Sequence, residues 1–108
     1  MVKVIALIRR RHDISRDEFL HRWQVEHPPY VRRLPGVRCY VQNPAIEHRK
    51  PWPYDGAAEL WFDDVAGVAA AFDGSAADAL REHEETFIGE LEWFLSEERA
   101  VPLAGEDA

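Results

Sequence analysis

Residues 15–43 read SRDEFLHRWQVEHPPYVRRLPGVRCYVQN, and they carry a helix, its stop and a strand in succession. Ser15 with Glu18 three residues on is a capping box that opens a helix. Phe19, Leu20 and Trp23 fall on one apolar stripe of it. Pro28 disfavours the helical conformation in the residue before it, so a break or kink is expected near His27. A further turn through Tyr30, Val31 and Leu34 is stopped by Pro35-Gly36. From Val37 to Asn43 the pattern alternates, with Val37, Cys39 and Val41 on one face and Arg38, Tyr40 and Gln42 on the other.

Upstream, Val2 to Arg9 is a strand apolar in both parities, as expected where both faces are covered. Downstream, a polar, proline-rich loop runs from Pro44 to Asp55, and a third strand from about Ala57 to Phe62. Asp63 or Asp64 caps a short Ala-rich helix, Gly74 interrupts it, and Ser75 restarts one that reaches about Phe87. Phe72, Ala76, Leu80, His83 and Phe87 share a face of this region. A fourth strand covers Leu91 to Leu95 and extends toward Val101. The order is β-α-β-β-α-β, the ferredoxin-like α+β plan with a four-stranded antiparallel sheet. Right-handed crossovers place both helices on one sheet face. The other face, with Val37, Cys39 and Val41, is left bare, and Glu59 is expected on that side pairing with an arginine. A contiguous apolar patch of this kind marks a contact surface, here for a second copy of the chain. The expected domain is 1–102, followed by a tail over 103–108.

The chain has 108 residues and a formal net charge of −7, from 13 basic and 20 acidic residues. One core fits this length. The acidic balance opposes nucleic acid and anionic membrane surfaces, which bind through Lys and Arg. The apolar run in MVKVIALIRRRHD is short and its arginines follow it, so it reads as a strand and not as a signal peptide. The single cysteine, Cys39, excludes an intrachain disulfide framework and a Cys-based zinc cluster, and points to a reducing cytoplasm. The five histidines are scattered without an H-x-x-x-H pair, so no metal site is expected. His12, His21 and His48 read as solvent-facing. The absence of a Gly-rich phosphate loop argues against nucleotide cofactors.

Several side chains have the chemistry of a site. His27 lies on the stripe of Phe19 and Trp23 and points at the sheet, where a neutral imidazole with an ordinary pKa of roughly 6.5 exchanges protons at neutral pH. The alternative is a buried histidine that satisfies backbone groups freed at Pro28. Tyr40 offers a phenol to a carbonyl or developing oxyanion, or is an ordinary strand aromatic with a wet hydroxyl. His83, between Leu80 and Phe87, faces inward and by position is a satisfied core histidine. Trp23 precedes His27 by one helical turn and is the best pocket wall. The loop HRKPWPYDG, with Trp52 and Tyr54, is either a rim for an aromatic ligand or a dimer-contact arm.

The run WQVEHPPYVRRLPGVRCYVQN, together with DGAAELWFDD and ETFIGELEWFLSEERAV, resembles the EthD family over nearly the whole chain, to about Pro102. That resemblance implies a dimeric α+β barrel, with a pocket in each protomer between the sheet and its helices. The chain also resembles the methylmuconolactone methylisomerases, through a His-containing helix end, the P-G-x-x-x-Y strand start and the H-x-x-x-F-I-G phrase. By that likeness His27 and Tyr40 bind substrate and move protons, and His83 matches the histidine before F-I-G, to which the likeness gives no role. Leu60 stands where those isomerases carry a pocket cysteine. Their second catalytic histidine has no clean counterpart, with His48, Trp52 and Tyr54 near its place.

The expectation is therefore a cofactor-free enzyme acting by acid–base chemistry (isomerisation, cyclisation or decarboxylation) on a small aromatic, lactone or polyketide-like molecule. His27 and Tyr40 would be catalytic, with Trp23, His83, Leu60, Trp52 and Tyr54 binding substrate. The family's association with oxidative degradation makes an oxidoreductase or monooxygenase the runner-up. A non-catalytic binder of a hydrophobic metabolite and a scaffold dimer are the readings from other classes. Haem is the lesser cofactor alternative, because some dimeric α+β barrels hold it through a helix histidine.

Overall fold

The computed structural model describes residues 1–104. The tail expected over 103–108 lies outside the described residues beyond Ala104. Four strands, β1 (Val2–Arg10), β2 (Cys39–Pro44), β3 (Gly56–Phe62) and β4 (Ile88–Ser96), form one sheet in the order β2-β3-β1-β4. Every neighbouring pair is antiparallel. The helices are α1 (Arg16–His21), α2 (Pro28–Arg32), α3 (Val65–Ala71) and α4 (Ser75–Glu84), and a π-helical turn over Arg22–Glu26 joins α1 to α2. This is the ferredoxin-like arrangement expected from the element order.

Local chemistry sets the boundaries. The Ser15 hydroxyl accepts a hydrogen bond from the Glu18 backbone N–H at 3.1 Å, which is the capping half of the box. The Glu18 carboxylate does not reach back; it accepts from Arg22 at 2.5 Å one turn later. Asp64, not Asp63, caps α3 by accepting from the Gly67 N–H at 2.7 Å, while Asp63 pairs with Arg38 at 3.0 Å. Gly36 has φ 80° in the turn before β2, a conformation that favours glycine.

The expected break at His27 takes a different form. His27 keeps a right-handed helical conformation, φ −77° and ψ −36°, although a proline follows it. The chain instead widens into the π turn before resuming at Pro28. Pro28 and Pro29 then occupy the first turn of α2, where a missing N–H leaves no helical bond unmade. The wider turn absorbs the proline rings without ending the helix.

Val4, Ala6 and Ile8 of β1 and Ala58, Leu60 and Phe62 of β3 point to the helices and form the core with Phe19, Trp23, Val31, Leu34, Leu80 and Phe87. On the opposite face, Cys39 and Val41 are exposed, joined by half-buried Ile5, Leu7, Ala57 and Trp61 and by exposed Phe94. Val37 departs from its expected place: β2 begins two residues later, and Val37 packs against the core. Glu59 does lie on the open face, but its partner is Lys3 at 3.2 Å and not an arginine. The registry explains this, because Lys3 and Glu59 sit on adjacent strands facing the same way. No helix among the described residues is long and apolar enough to cross a membrane.

Candidate functional site

The helices cover β1, β2 and β3 incompletely, and a cavity of about 310 Å³ remains between them and the sheet. Its walls are mostly aliphatic and aromatic: Val4, Ala6 and Ile8 from β1, Leu60 from β3, Trp23 from the π turn, and Leu91 and Trp93 from β4. Four polar side chains join them, His27, Tyr40, Arg81 and Glu84. A small apolar chamber with a few convergent polar groups is the usual construction of a ligand site.

Trp23 is 1% exposed and packs beside Gly56 of β3, with its ring centroid 5.4 Å from that of Phe19. That contact is possible because Gly56 has no side chain; a Cβ there would stand 2.6 Å from the indole. The Trp23 carbonyl accepts from Gln42 Nε2 at 2.8 Å, and the same nitrogen donates to the Tyr40 phenol oxygen at 2.7 Å. The Tyr40 O–H is thereby left to donate toward a ligand. Burial pushes the Tyr40 pKa up, opposed by the hydrogen bond from Gln42, so the phenol is a neutral donor.

His27 is 5% exposed. It makes no side-chain hydrogen bond to the backbone at the helix junction, so it does not satisfy groups freed at Pro28. Its Nδ1 lies 2.8 Å from Nδ1 of His83. One N–H must donate to the other ring's lone pair, leaving the Nε2 of His27 for the cavity. Burial, and secondarily His83, lowers the His27 pKa to about 4. The cavity imidazole is therefore neutral at pH 7.

Glu84, on the cavity side of α4 one turn after Leu80, is the group that sequence reading missed. Burial raises its pKa to about 7, with Arg81 pulling the other way. The available signal was its i+4 spacing from a core leucine, which places an acid on the inward stripe. A carboxyl poised near neutrality beside a neutral imidazole and a phenol can both give and take protons.

The structure brings His27, Tyr40, Trp23 and Leu60 to the cavity. His83 stands behind His27, stacked on Tyr30 at 4.6 Å between centroids. Trp52 and Tyr54 are elsewhere, in a separate groove with Arg10 and Arg16. Trp52 donates to the Ile46 carbonyl at 2.8 Å, and Tyr54 lies under the Arg9 guanidinium at 4.9 Å. The loop that bears them folds over the strand ends, so its aromatics do not reach the cavity.

The fold recurs in solved structures. An ethyl tert-butyl ether D (EthD) family protein from Bacillus halodurans C-125 aligns with TM-score 0.78 at 23% identity, over 92% of this chain and 99% of that one. A dimeric protein of unknown function with a ferredoxin-like fold from Bacteroides fragilis aligns with TM-score 0.69 at 13% identity, over 89% and 94%. A Nitrosomonas europaea protein, provisionally described as an antibiotic biosynthesis monooxygenase, aligns with TM-score 0.64 at 13% identity, over 91% and 98%. These similarities establish the fold. No curated protein matches the chain. The EthD domain model matches residues 11–90, a span that includes His27, Tyr40, His83 and Glu84, and the chain belongs to the EthD domain family.

Proposed function

We propose that the chain is a cofactor-free enzyme that moves protons on a small, largely hydrophobic molecule held in this cavity. One observation carries the reading: a neutral imidazole, a phenol and a carboxyl that titrates near neutrality line one apolar chamber of about 310 Å³. That set suits isomerisation, cyclisation or decarboxylation of an aromatic, lactone or polyketide-like compound. His27 exchanges the proton, the Tyr40 phenol donates to the oxygen on which charge develops, and Trp23 holds the ring. Leu60 fills a wall where the similar isomerases carry a cysteine, and Cys39 lies on the opposite sheet face, so thiol chemistry has no part here.

The working form is a homodimer. The apolar face around Val41, Trp61 and Phe94 needs a cover, and a second copy supplies it, as in the dimeric neighbour from Bacteroides fragilis. The Nitrosomonas europaea neighbour's description favours a second reading, in which the same chamber presents an electron-rich substrate to oxygen.

The test begins with mass spectrometry of small molecules released from protein purified under native conditions. Single-turnover assays on what is found, and on a panel of lactones, phenols and β-keto acids, follow. His27→Ala is expected to lower the rate about a hundredfold to ten-thousandfold, and Tyr40→Phe about a hundredfold to a thousandfold. Full activity in a His27→Ala protein that merely melts early would overturn the mechanism. Tight binding without turnover in the parent would make the chain an accessory binder of that ligand.

A further inference from the structure

The contact between the two buried histidines continues outward. His83 Nδ1 faces His27, and its other nitrogen, Nε2, lies 3.3 Å from Glu26 Oε1. The second oxygen of Glu26 meets His21 Nε2 at 3.4 Å. The line runs from the cavity through His27 and His83 to a carboxylate at the surface, where Glu26 is 45% exposed. Each link comes from a different element: the helix junction at His27, α4 for His83, and the π turn for Glu26.

Hydrogen-bond chemistry orients this line. A carboxylate has only acceptor oxygens, so His83 Nε2 must carry a hydrogen. A neutral His83 then presents a lone pair at Nδ1, and the 2.8 Å contact requires His27 to carry its hydrogen on Nδ1. A neutral His27 with that hydrogen has a bare lone pair on Nε2, the nitrogen left for the cavity. The carboxylate at one end thus makes the imidazole at the other end a base.

We infer that His83 and Glu26 are positioning residues that form a polarised proton relay, holding His27 with its Nε2 lone pair toward the cavity and taking up the pair's extra proton on His83. The relay rests on the acid–base reading of the cavity and specifies its direction. A proton leaving the ligand bonds to His27 Nε2, and the electron pair of the broken bond stays on the ligand. The His27 Nδ1 proton passes to His83 Nδ1, so the positive charge comes to rest on His83 beside Glu26. Adding one proton to the free protein has the same result: His83 becomes an imidazolium whose Nδ1–H donates to His27, and His27 changes tautomer, now showing N–H to the cavity. Around this line, Tyr30 stacks on His83, Phe87 packs against both rings, and Tyr40, Arg81 and Glu84 share the cavity with His27.

Imidazole ¹⁵N NMR on the whole protein, free of ligand, tests this across a pH titration. At high pH His27 is expected as the Nδ1–H form, which is the rarer tautomer of free histidine. On acidification His27 is expected to switch to the Nε2–H form with the same midpoint at which His83 becomes doubly protonated. Glu26→Gln, which keeps an acceptor but removes the charge, should lower that shared midpoint by roughly one pH unit. His83→Phe, which preserves a ring against Tyr30, should leave His27 as Nε2–H wherever it is neutral, with no pH-dependent change of tautomer. A parent His27 that is Nε2–H at high pH, or that titrates independently of His83, overturns the relay. These signals need no substrate, so a protein that shows them yet turns nothing over would sink only the catalytic reading.

Discussion

Gly56 of β3 lies so close to Trp23 that a Cβ at position 56 would stand 2.6 and 2.7 Å from two indole carbons and 3.0 Å from the Asn43 carbonyl oxygen. The indole is 1% exposed and has nowhere to retreat except into the cavity. Gly56→Ala should therefore cost about 1–3 kcal/mol through overpacking and should shrink the chamber. Urea denaturation checks the first effect. Coincident midpoints for variant and parent would mean that Trp23 can move freely.

Glu84 and His27 drive stability in opposite directions over one pH window. His27 falls from 6.5 to about 4 on folding, so between those values the unfolded chain holds the extra proton and stability is lost as pH falls. Glu84 rises from 4.5 to about 7, so there the folded chain holds the extra proton and stability is lost as pH rises. From pH 4.5 to 6.5 the two slopes oppose each other. Glu84→Gln removes one of them, and its stability should climb more steeply with pH than the parent's, by up to about 1.4 kcal/mol per unit. Unfolding measured at half-unit pH steps reads this directly; parallel curves would show that Glu84 ionises freely in the folded state.

Ser15 supplies the hydroxyl that caps α1. Ser15→Ala should destabilise the protein by about 1 kcal/mol, while Ser15→Asp should hold most of the stability, because an aspartate also caps. Thermal melts of the two variants distinguish a lost cap from a lost surface contact. An alanine variant that melts with the parent would remove Ser15 from the list of stabilising caps.

Val41 stands opposite Glu59 in the β2–β3 register, on the open sheet face. Val41→Asp places a carboxylate beside an existing one and in the middle of the apolar surface that a second copy would cover. Charge buried without a partner costs several kcal/mol, so the variant should sediment as a monomer at micromolar concentration, where the parent is expected to sediment as a dimer. An unaltered dimer would assign the interface to another surface.

Patterns with short range made much of this molecule legible in its sequence. The Ser15 cap, the Pro35-Gly36 stop, the alternation of β2 and the restart at Ser75 each depend on neighbours within a few residues. Together they gave the element order, and the order limits the topology. The β2 alternation also carried a functional hint: its polar members, Tyr40 and Gln42, face the core while apolar Cys39 and Val41 face outward. A strand that turns its polar side inward has a polar feature inside.

Other features depend on contacts between residues far apart in the chain. Nothing in the spacing of His27 and His83, 56 residues apart, says that their Nδ1 atoms meet, since that depends on how α4 packs against the helix junction. The burial that moves Glu84 toward neutrality comes from the same packing, and a sequence shows its charge without its surroundings. Trp52 and Tyr54 read as pocket aromatics because they lie in a stiff loop, but where that loop folds depends on Arg9 and the Ile46 carbonyl. The sequence by itself determined the ferredoxin-like plan, the helix caps and the candidacy of His27 and Tyr40, because local backbone preference and hydrophobic periodicity act within a few residues. Only the tertiary structure decided which groups share the cavity and which buried side chains meet, because desolvation and hydrogen-bond partnership arise when distant segments pack together.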